Sequence, residues 1–580
     1  MTRRLRHRGP DATGIRDFAN CSLGHTRLRI LDLSALGDQP MTNEDESVWV
    51  AFNGEIYNFV ELRAELTAAG HRFRSKTDTE VLVHLYEEHG DGMAARLRGM
   101  FAFAVWDERQ QRLLLCRDRL GIKPLYYRSD NGCLRFASET RVLGSGDIDP
   151  VALRGFLRLG WVPGPATIWS GVSELPPGHL LTWHAGSVHT FPYWSFAQSP
   201  AATPSVGEVR DALTDAMARH LVADVPVGLF LSSGVDSAVV GSLAAQCSAQ
   251  VRAYTVAFDT GDDEAGGAAA IALRLGIEHT VVRVDSAEAM SSIDRFVDTI
   301  DQPTVDGLNS WVISRAVRDA GPVVALSGLG GDELFAGYST FRHVPRLKRL
   351  GGVGHRLPGW ARRGSDRAVG GFGPAAHSRY RRAMEAVASG GWENSYCAVR
   401  GLFGNGELDA VWPAGRDVNP VPMVFGLNGD GISDRGSVTK LEMSNYLPFQ
   451  LLRDTDCMSM AHALEVRVPL LDDEVVTLAM AGQLSPGPWD KGHLVAAADP
   501  SLGSLVGQKK QTFTLPIDGW MTGPLREKAF EAIVALGDSG LGFDRRSLTD
   551  LWSDYRLGRV GWRPVWALAV LGMWRERQVR

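Results

Sequence analysis

The feature that most constrains this chain is the stretch at residues 225–237, which reads V-P-V-G-L-F-L-S-S-G-V-D-S. An apolar run ends in a loop of small residues, and a helix-forming run follows at 238–245. This pattern predicts a buried strand that delivers the loop to the edge of a parallel sheet. Backbone N–H groups at the start of the helix then form an anion site, and Gly234 allows a bound group to approach closely.

The side chains of this loop indicate a phosphate site that also holds a cation. Ser232, Ser233 and Ser237 supply hydroxyl donors. Asp236 would repel a phosphate unless a cation lay between them, so we interpret it as a ligand of Mg²⁺. No lysine follows the glycine, which excludes a GxxxxGK[ST] P-loop. The hexapeptide S-S-G-V-D-S resembles the pyrophosphate loop, S-G-G-x-D-S, of the ATP pyrophosphatases; a plain strand-to-helix turn is the alternative.

Length and composition favour an ordinary globular protein of two or three domains. The chain has 580 residues, 22% charged and 44% hydrophobic, and its net charge of −6 gives no reason to expect nucleic acid or a membrane as a partner. The six cysteines contain no CxxC pair, which argues against a disulfide framework or a zinc site and favours a reducing compartment. No apolar run reaches the ~18–20 residues of a membrane span. We therefore expect a cytoplasmic enzyme with small-molecule substrates, and an oligomer is possible.

The first part of the chain, residues 1–196, has the pattern of a layered α+β domain. Asn53-Gly54-Glu55 reads as a turn after a strand, and Thr77-Asp78-Thr79-Glu80 reads as a helix cap with an acidic first turn. The pattern predicts strands at 24–30, 48–52, 101–106 and 112–117, and helices at 59–69 and 81–88.

Ordered blocks in this part resemble the glutaminase domain of the class II, N-terminal-nucleophile, glutamine amidotransferases. They read H-R-G-P-D, G-H-x-R-L-x-I, N-G-E-I-Y-N, D-T-E-V, G-M-F-A-F-A-x-W-D, R-D-R-L-G-I-K-P-L-Y-Y and F-A-S-E. The resemblance implies an αββα layered, Ntn-hydrolase-like fold. It implies an oxyanion hole at Asn53 and Gly54, a carboxylate clamp at Arg27, and contacts to the glutamine amine from Glu55 and Asp78. Taken singly, these residues could be a hairpin turn, a helix cap or a surface charge.

The position of the nucleophile departs from this family. Such enzymes place a cysteine directly after the initiator methionine, where its own α-amine serves as the base. Here the second residue is Thr2, and Cys21 lies inside the chain without a free amine. Either the start of the chain is assigned too late, or the glutaminase half has decayed and ammonia or another amine arrives directly. The first explanation is favoured because the glutamine-contacting positions are retained. As written, the chain is not expected to hydrolyse glutamine by the family route.

The second part, residues 205–580, follows a linker at 197–206 and alternates strands with helices. Such alternation predicts a parallel sheet whose ligands bind beyond the carboxyl ends of the strands. After the first strand, further strands are predicted at 253–258, 280–284 and 323–326. The last of them leads into a glycine-rich loop that ends in Asp332 and Glu333. Asp236 and Asp332 would then be two ligands of one Mg²⁺, although a helix cap is the alternative for Asp332 and Glu333.

This glycine-rich loop, S-G-L-G-G-D-E-L-F-A-G-Y, resembles the asparagine synthetase signature S-G-E-G-x-D-E-x-F-x-G-Y. The chain as a whole resembles the glutamine-dependent asparagine synthetases, except at its extreme N-terminus. The resemblance implies an adenine-nucleotide α-hydrolase-like (PP-loop) second domain that uses ATP and Mg²⁺, with Asp236, Asp332 and Lys510 as catalytic residues. The ATP-binding residues that it implies are Leu231, Ser232, Ser233, Gly234, Val235, Asp236, Ser237, Val256, Ser327 and Gly328.

The implied reaction adenylates a carboxylate, aspartate in the family, and forms its amide with ammonia from glutamine. Leu329 replaces the glutamate of the signature, and Cys457 stands where the family usually has arginine. Both departures favour a second hypothesis, an amide ligase of specialised metabolism that acts on another carboxylate with free ammonia or an amine. A third, a non-catalytic relative, is disfavoured by the intact Asp236 and Asp332.

Two further features have structural interpretations. The basic segment 342–382 is interpreted as a solvated helical insert rather than a nucleic-acid face. Glu465 and Arg467 are expected to form a structural ion pair.

Overall fold

The fold is that of a two-part α/β chain, as the sequence predicts. No helix of the part described combines the length and apolar content that crossing a bilayer requires. The computed structural model of the chain describes residues 1–144, 146–196, 202–248, 250–258, 264–354, 374–418, 433–485, 489–508 and 515–579.

A six-stranded antiparallel sheet, in the order β11-β10-β6-β5-β4-β3, forms the centre of the first part. Strands β1 and β2 form a hairpin, and β8, β7 and β9 form a small third sheet. The strands are β1 Ala12–Asp17, β2 Ser22–Arg27, β3 Met41–Thr42, β4 Val48–Ile56, β5 Gly99–Asp107, β6 Arg112–Arg117, β7 Tyr126–Asp130, β8 Cys133–Ala137, β9 Ser173–Glu174, β10 His179–His184 and β11 Ser187–Pro192.

The two faces of the large sheet are buried by different elements. Phe52 and Phe103 pack on one face against the helices that follow β4, while Trp106 packs on the other face with Leu23 of β2. Alternate residues of a strand point to opposite faces, so the apolar strands β4 and β5 supply both cores. This helix–sheet–sheet layering agrees with the expected Ntn-type fold. The helices of the first part are α1 Phe59–Ala69, α2 Glu80–His89, α3 Met93–Arg96 and α4 Pro150–Leu159.

The second part contains a five-stranded parallel sheet in the order β14-β13-β12-β15-β16. The fifth strand, Glu465–Arg467, is not predicted from the sequence, because it is three residues long and has charged residues at both ends. The strands are β12 Val227–Phe230, β13 Arg252–Phe258, β14 Glu278–Val284, β15 Val324–Leu326 and β16 Glu465–Arg467.

Helices cover both faces of the parallel sheet. Leu229 packs with Val239 and Leu213 on one face, and Val256 packs with Trp311 on the other. The helices are α5 Val206–His220, α6 Val235–Cys247, α7 Glu264–Leu275, α8 Ser286–Ser291, α9 Ile293–Thr299, α10 Gly307–Asp319, α11 Gly331–Leu334, α12 Thr340–Gly354, α13 Pro374–Ser389, α14 Gly391–Arg400, α15 Asn405–Val411, α16 Asp434–Leu441, a π-helix Glu442–Leu452, α17 Arg453–Met460, α18 Asp473–Leu484, α19 Lys491–Ala498, α20 Ile517–Thr522, α21 Arg526–Ala535, α22 Arg545–Arg556 and α23 Trp562–Val579.

Two local predictions in the first part are wrong. Asn53, Gly54 and Glu55 lie inside strand β4 rather than in a turn, and they pair with β5. Gly54 has a φ of +141°, and a Cβ there would overlap the carbonyl oxygen of Met100, so the glycine serves a close backbone approach. Asp78 is not a helix cap, because α2 begins at Glu80 and its capping position makes no side-chain hydrogen bond.

Candidate active site

The loop after β12 opens on a cavity of about 1190 Å³ at the carboxyl ends of the parallel strands. Parallel strands direct the loops that follow them to one edge of the sheet, which brings together segments far apart in sequence. The structure places all of the predicted nucleotide-binding residues around this cleft: Leu231, Ser232, Ser233, Gly234, Val235, Asp236, Ser237, Val256, Ser327 and Gly328.

Ser237 holds the phosphate loop in shape. Its hydroxyl accepts a hydrogen bond from the Ser232 N–H at 3.1 Å and lies 3.1 Å from the carbonyl oxygens of Ser232 and Gly234. Helix α6 begins directly after Gly234, and no side chain caps it. Its positive N-terminal end therefore faces the cleft, where the dipole favours a phosphate.

Asp236 and Asp332 converge on one cation, the ammonium group of Lys491. Lys491 Nζ lies 2.9 Å from Asp332 Oδ1, and it also donates to Asp236 Oδ1. Gly331 and Gly337 leave room for this arrangement, because a Cβ at either position would press on one of the two carboxylates. The two carboxylates thus share one small region at the mouth of the phosphate loop.

This donor set fits a magnesium ion. Mg²⁺ prefers hard oxygen ligands and is usually bound by one or two carboxylates together with substrate phosphates. Asp236 and Asp332 supply two such carboxylates from different strand ends, beside a loop suited to phosphate. They are the residues that would hold the ion.

Lys491 is a functional candidate that the sequence analysis missed. It is the first residue of α19, where the helix dipole disfavours a cation, and Asp490 caps the helix just before it. An unfavourable charge at a helix start is a weak signal, but it could have drawn attention to this lysine. Lys510, which the family resemblance implies as catalytic, lies outside the described residues.

Glu333 is a second carboxylate at this end of the cleft, and it is fully buried. Burial, with the charge of Asp332 beside it, raises the pKa of Glu333 to about 7. Its Oε1 accepts a hydrogen bond from the Tyr338 hydroxyl at 2.6 Å. Glu333 therefore positions Tyr338 at the wall of the cleft.

A second, smaller cavity of about 120 Å³ is lined mainly by the first part, with Met460 and Glu465 of the second part. It brings together the five predicted glutamine contacts, Arg27, Asn53, Gly54, Glu55 and Asp78. The buried Asn53 amide nitrogen has no hydrogen-bond partner among the described residues. An unpaired buried donor is costly, and a ligand oxygen would satisfy it. Within the described part of the chain, the Asn53 amide is thus a free donor at the wall of this cavity.

The charged residues of this cavity already have protein partners. Arg27 donates to the carbonyl oxygens of Leu31, Asp32 and Ser34 and to the Asp38 carboxylate. A carboxylate ligand could bind Arg27 only by replacing some of these bonds.

Glu55 and Asp78 are buried and differ in their partners. Glu55 Oε1 lies 3.0 Å from Nη2 of Arg467, which belongs to the second part, and burial raises the Glu55 pKa well above its ordinary value. Asp78 Oδ2 accepts the Ile56 N–H at 2.8 Å, and burial raises the pKa of Asp78 to about 6. In this structure Glu55 therefore forms an ion pair between the two parts of the chain.

The N-terminal residues Met1 and Thr2 line a larger cavity of about 840 Å³ that also reaches Asn53. Cys21 lines the same cavity, but burial raises the pKa of its thiol to about 12. A thiol of that pKa is protonated at neutral pH and is a poor nucleophile. This supports the prediction that Cys21 does not replace the missing nucleophile.

Comparison with known families finds a separate match for each of the two parts. Residues 1–194 match the family model described as a glutamine amidotransferase domain, and residues 208–576 match the asparagine synthase model. This chain belongs to the glutamine-dependent asparagine synthetase family. Members of the asparagine synthase family use ATP.

Individual relatives align over most of their length. Asparagine synthetase 1 of Bacillus subtilis, described as glutamine-hydrolyzing, is 31% identical over 91% of this chain and 85% of the relative. Amidase chry2 of Gibberella zeae is 29% identical over 93% of this chain and 88% of the relative. Asparagine synthetase 2 of Oryza sativa is 34% identical over 60% of this chain and 58% of the relative.

The two departures from the asparagine synthetase pattern lie in different places. Leu329 lines the nucleotide cleft and packs on the apolar core behind it. Cys457 is absent from the residues lining that cleft and instead lines a small cavity between the two parts, with Arg8, Glu139 and Asp301. The interpretation of both residues as signs of an altered acceptor site stays a prediction.

Proposed function

We propose that this asparagine synthetase family member adenylates a carboxylate with ATP and Mg²⁺ and converts the adenylate to an amide with ammonia. The observation that carries the proposal is the convergence of Asp236 and Asp332 at Lys491, beside the phosphate loop. Two carboxylates at separate surfaces could not act on one triphosphate. Asp236 and Asp332 instead share one partner, the ammonium group of Lys491. In this proposal residues 1–196 form the glutaminase domain and residues 205–580 form the synthetase domain of a cytoplasmic enzyme.

The proposed chemistry has two steps. A carboxylate oxygen of the acceptor attacks the α-phosphorus of ATP, the bond to the β-phosphate oxygen breaks, and pyrophosphate leaves. The ammonia nitrogen then attacks the acyl carbon, the bond to the AMP oxygen breaks, and the nitrogen loses a proton. Lys491 and the loop N–H groups stabilise the charge that develops on the phosphates. Mg²⁺, when held by Asp236 and Asp332, would supply positive charge that stabilises the same phosphate groups.

The acceptor of first choice is aspartate, and a single observation favours a second candidate. Leu329 places an apolar side chain at the cleft where the family signature has a glutamate. An acceptor that needs a carboxylate partner would lose it, and a less polar carboxylate would pack better there. The second candidate is thus an amide ligase for another carboxylate.

In the first part, Asn53 and Gly54 are proposed as the oxyanion hole, because the unpaired Asn53 amide faces the cavity. Arg27, Glu55 and Asp78 are proposed to contact glutamine after rearrangement of their present bonds. Comparing glutamine with ammonium as the nitrogen source tests whether this half supplies the ammonia.

The test measures AMP and pyrophosphate formed from ATP with aspartate and ammonium, with glutamine in place of ammonium, and with a panel of less polar carboxylates. Turnover with aspartate supports the first candidate, and turnover only with another acid supports the second. Leu329→Glu should shift the preference toward aspartate. Failure of every acid to give AMP, in a protein that binds ATP, would refute adenylation.

A further inference from the structure

Four side chains of the first part meet outside both candidate active-site cavities. Glu44 lies between β3 and β4, His71 follows α1, and His84 and Glu87 lie on α2. Each offers one ligand atom, and these atoms all lie within 4.8 Å of one another. We propose that Glu44, His71, His84 and Glu87 bind one divalent transition-metal ion, of which Zn²⁺ is the best match. This proposal does not depend on the amide-forming reaction.

The distances within this His₂Glu₂ cluster fit a tetrahedral ion. His84 Nδ1 lies 3.3 Å from Glu87 Oε2 and 3.4 Å from Glu44 Oε2. His71 Nδ1 lies 3.7 Å from Glu87 Oε2 and 3.9 Å from Glu44 Oε1. Ligands bound tetrahedrally to Zn²⁺ at about 2.0–2.1 Å are separated by about 3.3–3.4 Å. The ligand atoms are spread over up to 4.8 Å, so a bound ion would draw them inward.

Neighbouring groups orient three of the four ligands, while the buried Nε2 of His84 has no hydrogen-bond partner among the described residues. His71 Nε2 lies 3.0 Å from Glu88 Oε1, so the ring can donate there and keep Nδ1 toward the cluster. Glu87 Oε1 accepts from the Asn43 amide at 2.8 Å, which leaves Glu87 Oε2 facing both histidines. Glu44 Oε1 accepts from the Arg72 N–H at 2.7 Å. Histidine ligands held by a carboxylate, and carboxylate ligands held by a donor, are the usual outer partners of a zinc site.

The charge of the cluster matches a divalent cation. The side chain of His84 is 1% exposed. Imidazole binds a metal in its neutral form, so a bound set of two imidazoles and two carboxylates carries two negative charges, which a divalent ion balances. Imidazole nitrogen with carboxylate oxygen suits Zn²⁺ better than Mg²⁺ or Ca²⁺. The absence of CxxC pairs argued against zinc, but this set contains no cysteine.

The site would join three segments of the glutaminase domain. It links the β3–β4 loop and the loop after α1 to helix α2, and the second of these loops continues into Thr77 and Asp78 of the glutamine cavity. A ligand that binds only the folded chain stabilises it by mass action. We therefore infer a structural role, in which the ion stabilises the loop that carries Asp78.

The test is zinc binding by the full chain after chelator treatment and dialysis, with excess Mg²⁺ to occupy Asp236 and Asp332. Isothermal titration and metal analysis of the wild type should show about one tightly bound Zn²⁺ per chain, with a rise in thermal midpoint. Glu87→Gln and His71→Gln should weaken binding by at least about tenfold and remove the zinc-dependent rise in thermal midpoint.

Two further variants distinguish loss of zinc binding at this site from a general effect of substitution on the protein. Glu88→Gln, which removes only the partner of His71 Nε2, should weaken binding while leaving the fold intact. His189→Gln, at an exposed histidine of β11, should change nothing. Absence of tight zinc binding in the wild type, or equal binding by the wild type and Glu87→Gln, would overturn the proposal.

Discussion

Lys491 lies between the carboxylates of Asp236 and Asp332, and its positive charge offsets the repulsion between them. The side chains of Asp236, Asp332 and Lys491 are all at least four-fifths buried. Charges act strongly on one another in such a setting, because water screens them little. The same ammonium group is placed to meet the phosphates of ATP.

Lys491→Met should lower kcat/KM for ATP by roughly 10²-fold or more, because it removes a preorganised positive charge from the transition state. The measurement is pyrophosphate release at saturating acceptor and ammonium. Lys528→Met, which removes a partly exposed lysine paired with Asp294, is the matched control and should retain wild-type kinetics. Equal kinetics for the two variants would show that Lys491 has no part in the reaction.

Asp454 gives the protein a pH-dependent stability. Burial raises its pKa to about 7, and the Thr304 hydroxyl donates to it at 2.6 Å. The folded protein keeps a proton that the unfolded chain releases above about pH 4, so this group makes stability fall as the pH rises from about 4 to about 7.

Asp454→Asn imitates the neutral carboxyl and should reduce that pH dependence. The thermal midpoint of the variant should fall less than that of the wild type between about pH 5 and about pH 8, while the two agree more closely at the acidic end. Thermal unfolding across this range is the measurement. The same pH dependence in both proteins would contradict the assignment.

At the scale of elements, the nucleotide loop and the glycine-rich loop could be predicted because parallel topology alone brings them together. The contact between Lys491 and Asp236 could not be predicted, because 255 residues separate them and only the packing of α19 brings Lys491 there. Asn53-Gly54 was misread because an Asn-Gly pair signals a turn locally, whereas Gly54 here permits a close contact between two strands. The partner of Glu55 likewise depends on tertiary contact between the two parts.

Gly328 sets the distance between the glycine-rich loop and α6. A Cβ there would lie 2.9 Å from atoms of Asp236 and Ser237, including backbone. Gly328→Ala should therefore displace the first turn of α6 and lower ATP turnover by more than about tenfold. Gly519→Ala in α20 is the matched control, because a Cβ there meets nothing within 4 Å. The prediction fails if Gly328→Ala keeps the turnover of Gly519→Ala.

At the scale of the whole molecule, a buried ionic network joins the two parts. Arg467 contacts Glu55 at 3.0 Å and Glu465 at 2.9 Å, which confirms the expected pair with Glu465 and adds an interdomain one. Arg8 lies 2.7 Å from Asp456 in a second such contact. These contacts tie the glutaminase side of the molecule to the sheet that carries the nucleotide cleft.

Arg467→Met should destabilise the protein by about 3–5 kcal/mol, because it removes the buried partner that Glu55 and Glu465 share and leaves Glu465 with the more distant Lys123, at 3.8 Å. Adding Glu55→Gln should recover part of that loss. Arg546→Met, at an exposed ion pair, should cost at most about 1 kcal/mol. Denaturant unfolding of the full chain compares the three. A loss for Arg467→Met as small as that for Arg546→Met would refute the interdomain pair.

We propose that Asp236 and Asp332 act together on one metal-bound triphosphate, and a double-mutant cycle on AMP formation separates joint from independent action. Asp236→Asn and Asp332→Asn should each lower the rate by about 10²-fold or more, and the double variant should lose little beyond either single one, since the two residues work as a unit. Wild-type rates in either single variant, or losses that multiply in the double variant, would contradict the account.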